Sequence, residues 1–234
     1  MEAFQSFTPT HAFALLGIAG ACWLLAAIGR RQADPAWPTT LEKSLAAANL
    51  LLWLTAHGWW LMRPQLDLKT TLPLQMCHLV SVVASLALLT RARAWRALLY
   101  FWGLGLCTQA LLTPSLTDPP RTVWFWSFWL QHGFIMVAVV HDLAVYRYRP
   151  DWRDYRIACA AAVAYLAVVL PLDIALGANY GFVGESRPET PSIVDVLGPW
   201  PERLAVIVAL VAAVMAVLML PWQFSRWRRG VASR

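Results

Sequence analysis

Leu72-Pro73-Leu74-Gln75-Met76-Cys77-His78-Leu79 opens the third of seven apolar segments in the 234-residue chain. It puts Gln75, Cys77 and His78 inside a stretch that reads as a membrane helix. Polar side chains are costly in hydrocarbon, so an ionisable residue within a span marks a functional site by default. Two later stretches answer this one: Gln131-His132-Gly133 within the fifth segment and Asn179-Tyr180-Gly181-Phe182 after the sixth. Together they predict one polar pocket near one face of a seven-helix bundle.

Working outward, the composition agrees with a membrane protein. The chain is 59% apolar and 14% charged, against roughly 25% charged in soluble domains. Its fourteen Trp residues suit the headgroup level, where indole rings collect. The net charge is +6, but the basic residues sit in short joins between apolar blocks, so nucleic acid is not an expected partner. Cys22, Cys77, Cys107 and Cys159 each lie in an apolar block without a CxxC pair. That argues against a disulfide framework or thiolate zinc site.

The fold class expected is all-α, a polytopic bundle of seven transmembrane helices forming a single domain over 1–234. The segments fall at 12–28, 41–62, 72–89, 95–112, 123–146, 155–178 and 204–224. Most approach the ~20 residues that a spanning helix needs. Joins such as Arg63-Pro64, Asp118-Pro119-Pro120 and Arg149-Pro150-Asp151 separate them. Only Glu2 and His11 precede the first apolar run, so it reads as an uncleaved helix rather than a signal peptide. Of the 19 Lys and Arg residues, only Arg63, Lys69, Arg121, Arg187 and Arg203 fall in one set of alternating loops. The excess of basic residues on the other side predicts an outside N-terminus and a cytoplasmic C-terminus. A multi-pass protein of the bacterial inner (plasma) membrane is expected.

On that topology His57, Cys77, Gln109, Asp173, Asn179 and Tyr180 lie near the outer ends of their helices. His132 lies roughly 14 Å into helix five, at about 1.5 Å per residue. Each has a plainer reading. An intramembrane His often only glues helices, which is the better reading of His57, and an isolated Cys is usually filler. His141 and Asp142 read as an interfacial charge cluster beside Arg147 and Arg149. His78 follows Cys77 directly and points ~100° away on a helix, so His132 from another helix is the better base for that cysteine.

These motifs resemble the YwaF-like family of bacterial integral membrane proteins. Leu72 to Cys77 is similar to its LPLQLC signature. Gly105 and Gln109-Ala110-Leu111-Leu112-Thr113-Pro114 match its G-x(3)-Q-A-L-x-T-P stretch, and His132-Gly133 its HG. Asn179-Tyr180-Gly181-Phe182, Arg187-Pro188, Ser192, Asp195 and Gly198-Pro199-Trp200-Pro201 resemble its final block. Departures are small: Met76 stands where Leu is usual and Arg187 where Lys is usual. The resemblance extends to a eukaryotic relative, transmembrane protein 164, described as an ether-lipid acyltransferase with a cysteine proposed as catalytic. It implies Cys77 as nucleophile with His132 as its partner. A membrane lipid and an acyl-donor lipid or acyl thioester are the implied partners. No cofactor or metal is expected.

As chemistry, a thiol deprotonated by His132 attacks an ester or thioester carbonyl. Gln75, Gln109, Asn179 or backbone amides are candidate oxyanion donors, with Tyr180 at the same pocket. Asp195, or less readily Asp173, is a candidate to orient the imidazole. The main alternative is a non-enzymatic receptor, transporter or assembly factor using the same pocket. A zinc hydrolase drawing ligands from His57, His78, His132, Asp173 and Asp195 ranks third, since no HxxxH occurs.

Overall fold

Helix boundaries follow from the capping residues. The computed structural model describes residues 4–64, 66–186 and 193–224. Helix α1 (Pro9–Gln32) starts where Thr8 accepts from the His11 amide and Pro9 takes the first turn. Pro belongs there because its missing N–H would have no helical partner. Helix α2 (Thr40–Leu61) opens on a reciprocal capping box between Thr39 and Glu42. Helix α3 (Met76–Thr90) follows Gln75 and ends at Arg91 in the left-handed region. Helix α4 runs over 93–112 and is π-helical from Leu99 to Cys107. Helix α5 (Val123–Ala144) is capped by Thr122. Helix α6 (Trp152–Leu176) has an Asp151–Asp154 capping box and ends at Gly177. Helix α7 begins at Arg203 and carries an apolar span to Phe224.

The chain is therefore all-helical among the described residues, with seven helical rods. Four of them, Pro9–Gln32, Val123–Ala144, Trp152–Leu176 and Arg203–Phe224, are long and apolar enough to cross a membrane. Met76–Thr90 is a shorter apolar helix. It starts later than the expected position 72, because Pro73 cannot donate a backbone bond and biases its predecessor to extended geometry. Gln75 consequently caps the helix instead of lying inside it. The π stretch was not anticipated either. Gly103 and Gly105 within it let Val139 and the Leu218–Val214 pair approach to contact distance.

Helix α3 is the packing centre, set against α2, α4 and α5. Its buried face is built of Val80, Ser81, Ala84, Ser85 and Ala87. Small residues allow close helix approach where burial from water supplies no drive between helices. Asn49 of α2 bridges to it, donating to the Ser81 carbonyl at 2.7 Å and to Ser85 Oγ at 2.8 Å. Ser81 Oγ donates back to Asn49 Oδ1 at 2.8 Å. Asn49→Leu should lower stability by about 1 kcal/mol, read as a lower thermal midpoint in detergent. An unchanged midpoint would mean the bridge contributes nothing net.

Charge is concentrated at one end. Glu42, fully buried, meets Arg91 at 2.7 Å and His141 Nε2 at 3.3 Å. Arg96 pairs with Asp142 at 2.8 Å, and Arg93 with Asp151 and Asp154. His141 and Asp142 do belong to this charge cluster, but both are buried, and their ion-pair partners are Glu42 of α2 and Arg96 of α4 rather than Arg147 and Arg149. The opposite end holds the connection between α6 and α7. Arg187, Pro188 and Ser192 of the family-like block lie outside the described residues, as do Arg226, Arg228, Arg229 and Arg234.

Candidate functional site

The site grows from the start of α3. The Gln75 side chain turns away from its own helix and accepts from the Gly181 amide at 2.9 Å. Cys77 is therefore in the first helical turn, where unpaired backbone N–H groups favour negative charge. The amide of the next residue, His78, is committed to the Gln75 carbonyl at 2.9 Å. Tyr165 of α6 donates to the Leu74 carbonyl at 2.7 Å and lies within electrostatic reach of Cys77 and Asp173. Cys107, at the end of the π stretch of α4, neighbours Cys77 in the same sense. As a residue Cys77 is half-buried.

Three imidazoles come from the helices packed here, two of them in ring contact. His132 Nδ1 lies 2.8 Å from the Phe128 carbonyl, and His57 Nδ1 lies 2.8 Å from the Trp53 carbonyl. A carbonyl only accepts, so both Nδ1 atoms carry the proton and both Nε2 atoms keep a lone pair. His132 Nε2 is buried and has no hydrogen-bond partner. His78 meets the His57 ring edge-to-face at 4.2 Å between centroids. It also lies within electrostatic reach of His132. Trp53 stacks on His57 and donates its indole N–H to the His78 carbonyl at 3.0 Å. His78 Nδ1 is buried without a partner. Among the described residues no group of three or more His, Cys, Asp or Glu side chains could hold a metal ion.

The chain after α6 closes this end. Tyr180 donates its hydroxyl to the Leu68 carbonyl and accepts there from the Leu72 amide, and its own amide donates to Asp173 Oδ1. Gly181 has φ +61, and a Cβ there would overlap the Tyr165 hydroxyl. Arg203, 2% exposed, reaches Ser186, Asp195 at 2.8 Å and the Gly184 carbonyl at 2.6 Å. Trp200 donates to the Val183 carbonyl at 3.1 Å.

The residues expected to line a pocket thus divide. Cys77, Gln75 and Tyr180 are joined through the start of α3 and the turn at Gly181. His132 lies with His78 and His57, and no hydrogen bond links it to Cys77. A backbone carbonyl, not Asp195, orients its ring, while Asp195 is engaged by Arg203. Gln109 is exposed. Asn179 Oδ1 is buried without a partner. The sequence reading did not single out Tyr165, Cys107, Phe128 or Trp53. Spacing contained part of the signal, since Trp53–His57 and Phe128–His132 are both aromatic–His pairs at i, i+4 on a helix.

Comparison with known proteins matches this architecture to one family. The model of the TMEM164 family matches residues 6–219. A protein of Treponema pallidum, described as uncharacterized, is 30% identical over 192 residues, covering 81% of this chain and 79% of its own. No solved structure matches. With the match running from before α1 into the last helix, the chain belongs to the TMEM164 family.

Proposed function

We propose that the chain is a seven-span protein of the bacterial inner membrane that transfers or hydrolyses acyl groups on lipids, with Cys77 as nucleophile and His132 as base. The observation that carries this is the placement of Cys77 in the first turn of α3, where the leading helix amides have no intrahelical partner. Backbone amides of that turn are candidate donors to an oxyanion that forms next to the thiol. The proton of the thiol passes to the lone pair of His132 Nε2, and the sulfur attacks an ester or thioester carbonyl. The leaving alkoxide or thiolate takes that proton, leaving an S-acyl cysteine. A lipid hydroxyl or water then gives its proton to His132, its oxygen takes the acyl carbon, and the thiol is restored. Catalytic hydrogen bonds are often long before substrate binds, so the missing Cys77–His132 bond is one that substrate binding has to form.

The test is labelling of the detergent-solubilised protein by a lipid-like thiol-reactive probe. Wild type should label at Cys77, while Cys77→Ala and His132→Ala should not, with folding checked by monodispersity. Equal labelling of wild type and His132→Ala would sink the reading. A non-catalytic ligand-binding role is the second reading, favoured by the absence of a hydrogen bond between Cys77 and His132. Topology is tested separately. A fluorescent protein fused to the C-terminus should fluoresce and an alkaline phosphatase fusion there should be inactive; the reverse pattern would overturn the proposed orientation.

A further inference from the structure

Four helices begin under a side-chain cap: Thr8 on α1, Thr39 on α2, Thr122 on α5 and Asp151 on α6 each accept from an amide of the first turn. Helices α3, α4 and α7 have no such cap. At α3 the residue in the cap position is Gln75, and its side-chain oxygen is taken by the Gly181 amide instead. An uncapped start leaves amides without partners and frays unless something else holds it. Here the hold is tertiary and comes from α6 and the turn after it. The Tyr165 hydroxyl donates to the Leu74 carbonyl at 2.7 Å. The Tyr180 hydroxyl ties the Leu68 carbonyl to the Leu72 amide, at 2.8 and 2.9 Å. Tyr180 is itself fixed: it is 1% exposed, and its amide donates to Asp173 Oδ1 at 2.9 Å. Gly181 permits the docking, since its φ of +61 and the adjacent Tyr165 hydroxyl leave no place for a Cβ. The chain from Leu68 to Gln75 is therefore pinned up to the residue two positions before Cys77.

We propose that Gln75 and Tyr180 are positioning residues for Cys77: the bond from the Gly181 amide to Gln75 and the bridge made by the Tyr180 hydroxyl hold the first turn of α3, and with it the sulfur, in the position the reaction uses. The proposal deepens the acyl-transfer reading and rests on it for what Cys77 does. Both residues act through the backbone, because the oxygens they use are engaged by peptide groups of the protein itself. The linkage runs from Asp173 through Tyr180 to Leu72, and from Gly181 to Gln75 and so to Cys77. The turn after α6 thereby sets the reactive end of α3. Two stretches far apart in sequence, Leu72 to Cys77 and Asn179 to Phe182, become the two halves of one latch. Position matters at this scale, since a misplacement of about 1 Å at a reacting centre can cost about 10²-fold in rate.

The test compares the full chain in nanodiscs with Tyr180→Phe, Gln75→Met and a matched control, Tyr100→Phe. Tyr100 also has a hydroxyl with one donated and one accepted bond, to the Leu218 carbonyl and from Trp222, both on the α7 span. Two rates at Cys77 are read by peptide mass spectrometry: labelling by the lipid-like thiol-reactive probe and alkylation by iodoacetamide. Probe labelling should fall by about 10²-fold in Tyr180→Phe and Gln75→Met. Iodoacetamide should instead react about fivefold faster in both, because a first turn that has lost a hydrogen bond opens more often. Tyr100→Phe should leave both rates at the parent value although its thermal midpoint drops. Gln75→Glu, which keeps an oxygen for the Gly181 amide, should return the iodoacetamide rate to that of the parent. An iodoacetamide rate in Tyr180→Phe and Gln75→Met equal to that of Tyr100→Phe overturns the proposal, as does a rate that Gln75→Glu fails to restore. If the parent takes no probe at Cys77 while iodoacetamide still separates the two variants from Tyr100→Phe, the acyl-transfer reading falls and the latch on Cys77 stands.

Discussion

His132→Ala should slow acylation of Cys77 by about 10²–10⁴-fold, the contribution of a positioned general base. The thiol is the weak form of the nucleophile, and His132 offers a lone pair that is both fixed and unoccupied. The Phe128 carbonyl holds the Nδ1 proton, so the ring has one orientation and one free acceptor. The deficit should shrink as pH rises, because hydroxide then supplies the thiolate that the missing base no longer generates. The measurement is the rate of S-acyl adduct formation by mass spectrometry, for wild type and variant across pH. A variant as fast as wild type at neutral pH would remove His132 from the chemistry. A deficit that stays constant with pH would make it a packing residue.

Glu42→Ala should be the most destabilising single change among the charged residues, at about 3–5 kcal/mol. Glu42 is fully buried and holds three groups at once. Its carboxylate accepts from Arg91 at 2.7 Å and from the Thr39 amide at 2.7 Å, the bond that completes the α2 cap, and meets His141 at 3.3 Å. Truncation leaves the Arg91 guanidinium, itself only 14% exposed, without its carboxylate. Breaking one side of a buried pair costs more than the pair contributes, because the remaining charge stays buried. His141 would also lose its partner against Gly29 of α1, where there is no room for a Cβ. Lys43→Ala, one residue away, should change stability by less than about 0.5 kcal/mol, as surface substitutions do. Thermal midpoints of the purified variants decide this; a Glu42→Ala midpoint equal to that of Lys43→Ala would refute the argument.

Most of the fold was legible because the bilayer imposes a length. Apolar runs separated by Pro and charge match the helices to within a turn at most ends, as at Val123 and Arg203. The start of α3 was not, because Pro73 and the Gly181 amide, distant in sequence, decide where Gln75 stops being helix. The π stretch of α4 was hidden for a similar reason: it depends on contacts that Gly103 and Gly105 permit with α5 and α7. The site was half legible. Cys77, His132 and the Tyr180 turn stood out as polar residues in apolar surroundings, which a sequence shows directly. The preference for His132 over His78 came from helical geometry, and that geometry holds locally but says nothing of which ring meets which across the bundle.

The sequence by itself determined the helical class, the number of helical rods and the polar residues placed at one end, because hydrophobic length and punctuation are local properties. Only the tertiary structure decided the partners. Asp195 goes to Arg203, Asp142 to Arg96, and His78 joins His57 and His132. Those choices depend on which helices pack together and in which rotation, and pairing energies between distant residues are set only once α3 lies between α2, α4 and α5.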